Sequence, residues 1–162
     1  MNALTVVQAV EEDIPTVLRL MQQLAVFEGY IDDFQVDLAY LQKHLLKSNP
    51  TQQNFEVLVA KQGVAVLGIL VFYTLPFTYD LKPWLLMKEL IVDENHRSNG
   101  VGRALMEQLF RIAGERGVSK IRWDVLKGNA KAKCFYESFG AEHQSGWELY
   151  SLGTKAISTL SS

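Results

Sequence analysis

Cysteine is almost absent. Cys134 is the single example in 162 residues, so no intramolecular disulfide framework and no cysteine-only zinc site can form. The three histidines, His44, His96 and His143, are too scattered to build a metal site or a catalytic triad. No apolar run reaches the roughly 18–20 residues that cross a bilayer. The amino terminus, Met1-Asn2-Ala3-Leu4-Thr5, lacks the charged start and apolar stretch of a secretory signal. Linkers, repeats and low-complexity segments are missing as well. These absences lead us to expect a soluble, cytoplasmic chain with no metal and no membrane partner.

What is present is ordinary globular composition, 48% hydrophobic and 21% charged, at a length that buries roughly two-thirds of the unfolded surface. The net charge of −2 hides a split. Residues 1–80 carry four basic and nine acidic side chains, whereas residues 81–162 carry twelve basic and nine acidic. A basic half so interleaved with acids does not read as a nucleic-acid surface. It suits an anionic ligand on one half and a cationic one on the other, or simply two solvated surfaces.

Along the chain, Thr5–Val10 reads as a strand. Asp13 caps a helix with Pro15 in its first turn, where a missing N–H costs nothing. Ile14, Val17, Leu18, Met21, Leu24 and Ala25 form its buried face. A shorter helix is expected over Val36–Lys47, closed by Ser48-Asn49-Pro50. The period then changes, predicting strands over 55–60, 64–72 and 84–92. The last of these is apolar on both faces except for Lys88 and Glu89, as in a central strand. A polar loop over 93–102 leads into a helix marked by Val101, Ala104, Leu105, Gln108, Leu109, Ile112 and Ala113. A strand over 121–126, a helix over 130–139 ended by Gly140 and a strand over 147–152 follow. Residues after Gly153 read as a fraying tail. The whole predicts one α/β domain, antiparallel in front with a strand-loop-helix-strand crossover behind.

Two segments carry chemistry. Arg97-Ser98-Asn99-Gly100-Val101-Gly102 lies between the central strand and an amphipathic helix. Unpaired N–H groups and the positive end of the helix dipole gather there, and glycines remove the Cβ atoms that would block a phosphate. The segment reads as a polyphosphate-binding loop assisted by Arg97, or as an ordinary glycine-rich turn. It is neither a Walker loop, lacking Gly-Lys-Ser/Thr, nor a dinucleotide fingerprint, lacking the first glycine. The second segment runs from Asn129 to Ala141. Phe135 and Phe139 share a core face, and Tyr136 beside them is either a core ring or a proton donor. Cys134 reads as a buried packing residue, since no neighbour in sequence supplies a base to activate it.

Together these segments resemble the GNAT superfamily of N-acetyltransferases. The Arg97–Gly102 loop is similar to its acetyl-CoA pyrophosphate signature, and Asn129 with Phe135–Ala141 is similar to its late strand-helix motif. Leu18-Arg19-Leu20, Leu24-Ala25, Phe27-Glu28, Phe77–Asp80, Pro83-Trp84 and Gly146–Tyr150 further resemble the spermidine/spermine (diamine) N-acetyltransferase family, from about Val7 to Leu152. Lys88 departs from that family, which has an acid there, and Lys127-Gly128 stands where it has an aromatic residue.

The resemblance implies a single-domain GNAT fold over residues 3–152, with a central, mostly antiparallel mixed sheet flanked by helices, and a flexible tail over 153–162. It implies direct transfer of an acetyl group from acetyl-CoA to the primary amine of a small molecule, a diamine or polyamine. The alternatives are another amine (lysine analogue, aminoalkyl phosphonate, aminoglycoside or protein amine) and a non-catalytic acyl-CoA-binding module. Acetyl-CoA would be held by Leu90, Ile91, Val92, Arg97, Ser98, Asn99, Gly100, Val101, Gly102, Arg103, Asn129 and Lys131, with main-chain N–H of Leu90–Val92 facing the developing oxyanion. A lysine-like amine, with pKa near 10.4, arrives protonated. It needs a base, for which Glu89 is the candidate unless that carboxylate is paired with Lys88 or another cation. An ordinary tyrosine keeps its proton at neutral pH, so Tyr136 is assigned the general acid. Phe27, Glu28, Glu89 and Asp124 would face the amine, and Asp32 and Asp33 add to the acidic group after the first helix. Lys127 and Lys133 would join Lys131 near the 3′-phosphate. Relatives of this kind pair through late strands, and an aromatic strand over 147–150 left at an edge invites such pairing, so a homodimer is expected.

Overall fold

Near-continuous apolar runs between Glu56 and Val92 build three long strands, buried on both faces over most of their length, and these carry the rest of the molecule. The structure is a computed structural model that describes residues 2–45 and 55–162. Its sheet comprises β1 (Leu4–Gln8), β2 (Glu56–Gln62), β3 (Ala65–Leu75), β4 (Trp84–Val92) and β5 (Lys120–Arg122), lying side by side in chain order. The first four pair antiparallel, while β4 and β5 run parallel. That parallel pair needs a crossover, which α3 (Val101–Glu115) supplies.

Helix α1 (Ile14–Glu28) and the shorter α2 (Leu38–Leu45) cover one face. Val17, Leu20, Met21, Leu24 and Leu41 pack there with Val57, Val59, Ile69, Val71 and Ile91. Strand residues one position out of phase, Leu58, Leu70, Phe72 and Leu85, are fully buried on the opposite side. Gly68 shares that side. A Cβ on it would come within 3.0 Å of Val101 Cγ1 and 3.3 Å of Leu105 Cδ1, both on α3.

The chain divides into two compact units, Met1–Asp124 and Val125–Ser162. The second contains α4 (Ala130–Glu137) and α5 (Thr154–Leu160). Among the described residues no helix is long and apolar enough to cross a membrane.

Several expectations are corrected. Asp13 stands at the cap position of α1 but makes no side-chain cap. Its carboxylate instead accepts from Val10 N–H at 3.0 Å and from Lys61 Nζ at 2.6 Å. A buried carboxylate gains more from a long-range cation than from a helix N–H alone. Strand β5 stops at Arg122, short of Leu126, because its pairing with β4 ends at Leu86↔Arg122. No strand forms over 147–152. Trp147, Leu149 and Tyr150 are 84–86% exposed, and among the described residues they have no ladder partner, without which alternation does not make a strand. Thr154–Leu160, read as part of a fraying tail, is helical. Cys134 is exposed; it sits one residue, about 100° of helix, from Phe135, whose ring packs edge-on to Phe139 at 5.2 Å. The end of the second helix beyond Leu45, with Ser48-Asn49-Pro50, lies outside the described residues.

Candidate active site

The third strand pair holds an irregularity that sets the site. Val71 pairs with Glu89 but Phe72 pairs with Met87, leaving Lys88 as an extra residue in β4. A bulge of this kind re-aims the side chains around it. Glu89 shares the register face of Val71, the face that α1 covers. Beyond Leu86, β4 has no register partner in β5. Over 87–92 the backbone groups aimed away from β3 therefore lack a strand neighbour among the described residues, an edge able to accept an extended ligand and to offer N–H to an oxyanion.

Glu89 is the unusual carboxylate. Its Oε2 is buried with no hydrogen-bond partner, and burial pushes the group up to about 7. Lys88 opposes that rise and Glu28 adds to it. Among the described residues no ion pair joins Lys88 to Glu89. Tyr30 completes the group. Gly29 takes a left-handed φ of +83°, and both Gly29 and Tyr30 donate their N–H to Ala25 O, at 3.0 and 2.9 Å, turning the chain back as α1 ends. Burial raises the Tyr30 hydroxyl to about 12, helped by the charges of Glu89 and Glu28. The sequence reading missed Tyr30; the glycine one residue before it, at the end of a periodic helix, was the available signal.

The loop from β4 to α3 is braced before its glycine-bearing segment, Arg97–Gly102, begins. Asp93, itself buried, accepts from Arg19 Nη2 at 2.9 Å, from Asn95 N–H at 3.1 Å and from Asn95 Nδ2 at 3.2 Å. The Asn95 N–H holds its carboxyl below the usual range; burial, the next-largest effect, opposes it, and Arg19 adds to the lowering. Arg97 Nε donates to Val92 O at 3.3 Å. Ser98 and Gly100 both have positive φ, +65° and +78°. A Cβ on Gly100 would meet nothing within 4 Å, so open space lies at the amino-terminal end of a fifteen-residue helix whose first N–H groups have no intrahelical acceptor. That arrangement fits a phosphate chain.

The remaining candidates fall as follows. Leu90, Ile91 and Val92 lie on β4, and Val101, Gly102 and Arg103 form the first turn of α3, with Arg103 4.0 Å from Glu107. Asn99 is exposed in the loop. Phe27 and Glu28 are exposed at the end of α1, Glu28 close enough to act on Glu89. Asp32 and Asp33 form a separate exposed turn, and Asp124 is exposed beyond β5. In the second unit, Asn129 caps α4 by accepting from Ala132 N–H at 3.1 Å, and Lys131 is exposed. Tyr136 is half-buried with its ring 5.3 Å from Phe135. The structure thus groups Glu89, Glu28, Tyr30 and Lys88 electrostatically, while Asp32 and Asp33 stand in the turn that follows Tyr30, the Asp33 N–H donating to Tyr30 O at 3.0 Å.

Comparison with known proteins agrees with this geometry. The sequence profile of the Acetyltransferase (GNAT) family matches residues 20–141, reaching into both units. Thialysine N-epsilon-acetyltransferase of Sus scrofa is 25% identical over 171 aligned positions, 99% of this chain and 98% of its own length. Spermidine/spermine N(1)-acetyltransferase-like protein 1 of Homo sapiens is 26% identical, over 85% of this chain and 21% of its own. The crystal structure of an aminoglycoside acetyltransferase from an uncultured soil metagenomic sample, in complex with sisomicin, superposes with a TM-score of 0.72 at 28% identity, covering 93% of this chain and 97% of that one. The chain belongs to the acetyltransferase (GNAT) family and is an N-acetyltransferase.

Proposed function

We propose that this protein transfers an acetyl group from acetyl-CoA to a terminal primary amine of a small molecule of the diamine class. The observation that carries the reading is Glu89, a buried carboxylate with an unpartnered oxygen on the β4 bulge, at the start of the strand's unpaired edge. A base held near 7 is ionised in a useful fraction at neutral pH yet basic enough to take a proton. Acetyl-CoA supplies the activated acyl group. Arg97–Arg103 and the amino-terminal turn of α3 hold its phosphates, assisted by Asn129 and Lys131. Main-chain N–H on Leu90–Val92 stabilises negative charge on the carbonyl oxygen. Glu89 takes the proton of the ammonium, directly or through water, and Tyr136 returns one to the leaving sulfur.

The diamine assignment is supported by the acidic pair Glu28 and Glu89, by the resemblance of the Leu18–Glu28 and Phe77–Trp84 segments, and by relatives named for thialysine and spermidine/spermine. We also assign a homodimer built through the apolar segment over 147–150, and a cytoplasmic location. The test is steady-state acetylation of a panel of diamines, polyamines, diamino acids, aminoalkyl phosphonates and aminoglycosides. Turnover of compounds carrying two amines on an alkyl chain, diamines, polyamines and diamino acids alike, is expected ahead of aminoalkyl phosphonates and aminoglycosides. Acetyl-CoA binding without turnover of any amine would leave only an acyl-CoA-binding module.

A further inference from the structure

Lys88 is a charged side chain with no ion-pair partner among the described residues. It is the extra residue of the β4 bulge, and it is exposed. It nevertheless stands next to Glu89, whose buried Oε2 is itself unpartnered, and Glu28 acts on the same point. A cation beside these carboxylates disfavours a ligand that brings positive charge alone. It attracts one that brings an ammonium for the acids and an anion for the cation.

We propose that Lys88 is a specificity-determining residue that receives a carboxylate of the amine substrate, so that the substrate is a diamino carboxylic acid rather than a bare diamine or polyamine. This deepens the function proposed above and rests on it. The ammonium to be acetylated is oriented toward Glu89, and the carboxylate end is held by the Lys88 ammonium, a flexible point charge that does not demand bidentate geometry. The bulge breaks the regular pleating that would send these neighbours to opposite faces, and the charge of Lys88 acts on Glu89 there.

The experiment compares kcat/KM for matched pairs, lysine with cadaverine and ornithine with putrescine, adding lysine methyl ester, which keeps the skeleton but removes the anion. The wild-type protein is expected to prefer each amino acid over its decarboxylated partner by about tenfold or more, mainly through KM, the size of one charge-assisted contact. The methyl ester should behave like cadaverine. Lys88→Met should collapse the ratio toward one and raise acetylation of the bare diamine. Lys88→Glu should invert it, and Lys88→Arg should retain it. Thermal midpoint and acetyl-CoA affinity, measured on each variant, confirm that the fold and phosphate loop survive. Equal wild-type rates within each pair, or an unchanged preference in folded Lys88→Met, would overturn the proposal while leaving diamine acetylation standing. Failure of the wild-type protein to acetylate any member of the panel would overturn both.

Discussion

Burial ordinarily disables a carboxylate, since the charged form is the one that loses its water. In the function proposed above, the same penalty makes Glu89 a base. With the group raised from 4.5 to about 7, kcat/KM should rise with pH and level off above about 7, the limb reporting ionisation of Glu89. Glu89→Gln should lower kcat by roughly 10²–10⁴-fold and abolish that limb; a variant with the wild-type profile would remove Glu89 from the mechanism. Stability moves the opposite way. A raised folded pKa means that the folded state binds the proton more tightly, so this contribution is complete below about 4.5 and lost as pH rises through 7. Thermal melts should therefore show Glu89→Gln gaining on wild type between those values, by at most about 3 kcal/mol. Tyr136 poses the complementary question. Tyr136→Phe keeps the ring packed against Phe135 but deletes the hydroxyl, so kcat should fall by about 10²–10⁴-fold with little change in thermal midpoint. Intact turnover at saturating substrates would return Tyr136 to the core.

Elements transmit packing to the site, and Gly68 shows how closely. It pairs with Val92, and an added Cβ would lie 3.0 Å from both Ile91 O and Val101 Cγ1. The backbone oxygen cannot yield, so Gly68→Ala should push the first turn of α3 outward. Acetyl-CoA affinity, read by calorimetry, should fall about tenfold, and stability by roughly 1–3 kcal/mol. Unchanged affinity would mean that the loop is not held by this contact. The sequence showed β4 to the residue and most of the α3 face, missing only the buried Met106, because long apolar runs leave little freedom in assignment. It showed the Arg97–Gly102 loop because glycine chemistry is local. It did not show the Lys88 bulge, since an extra residue changes no composition and is visible only against the β3 register. Nor did it show Gly68 as a close approach, or the capture of Asp13 by Lys61, because partners so distant in sequence leave no local trace.

At the scale of the whole molecule, the segment over 147–150 joins pattern to assembly. Its aromatic alternation invited a strand, and the structure instead leaves Trp147, Leu149 and Tyr150 84–86% exposed. Three large apolar side chains within four residues are a costly surface for a solitary chain, and a strand-forming sequence without a partner completes itself most readily against a second chain. The homodimer proposed above therefore predicts a specific dependence. Light scattering at micromolar protein should give the dimer mass for the wild type. Leu149→Lys, which places a charge in the middle of the patch, should shift the population to monomer without changing the melting of the sheet, because the side chain it replaces is 85% exposed. A monomeric wild-type mass would overturn the assignment outright, and a dimer indifferent to Leu149→Lys would move the interface elsewhere on the surface.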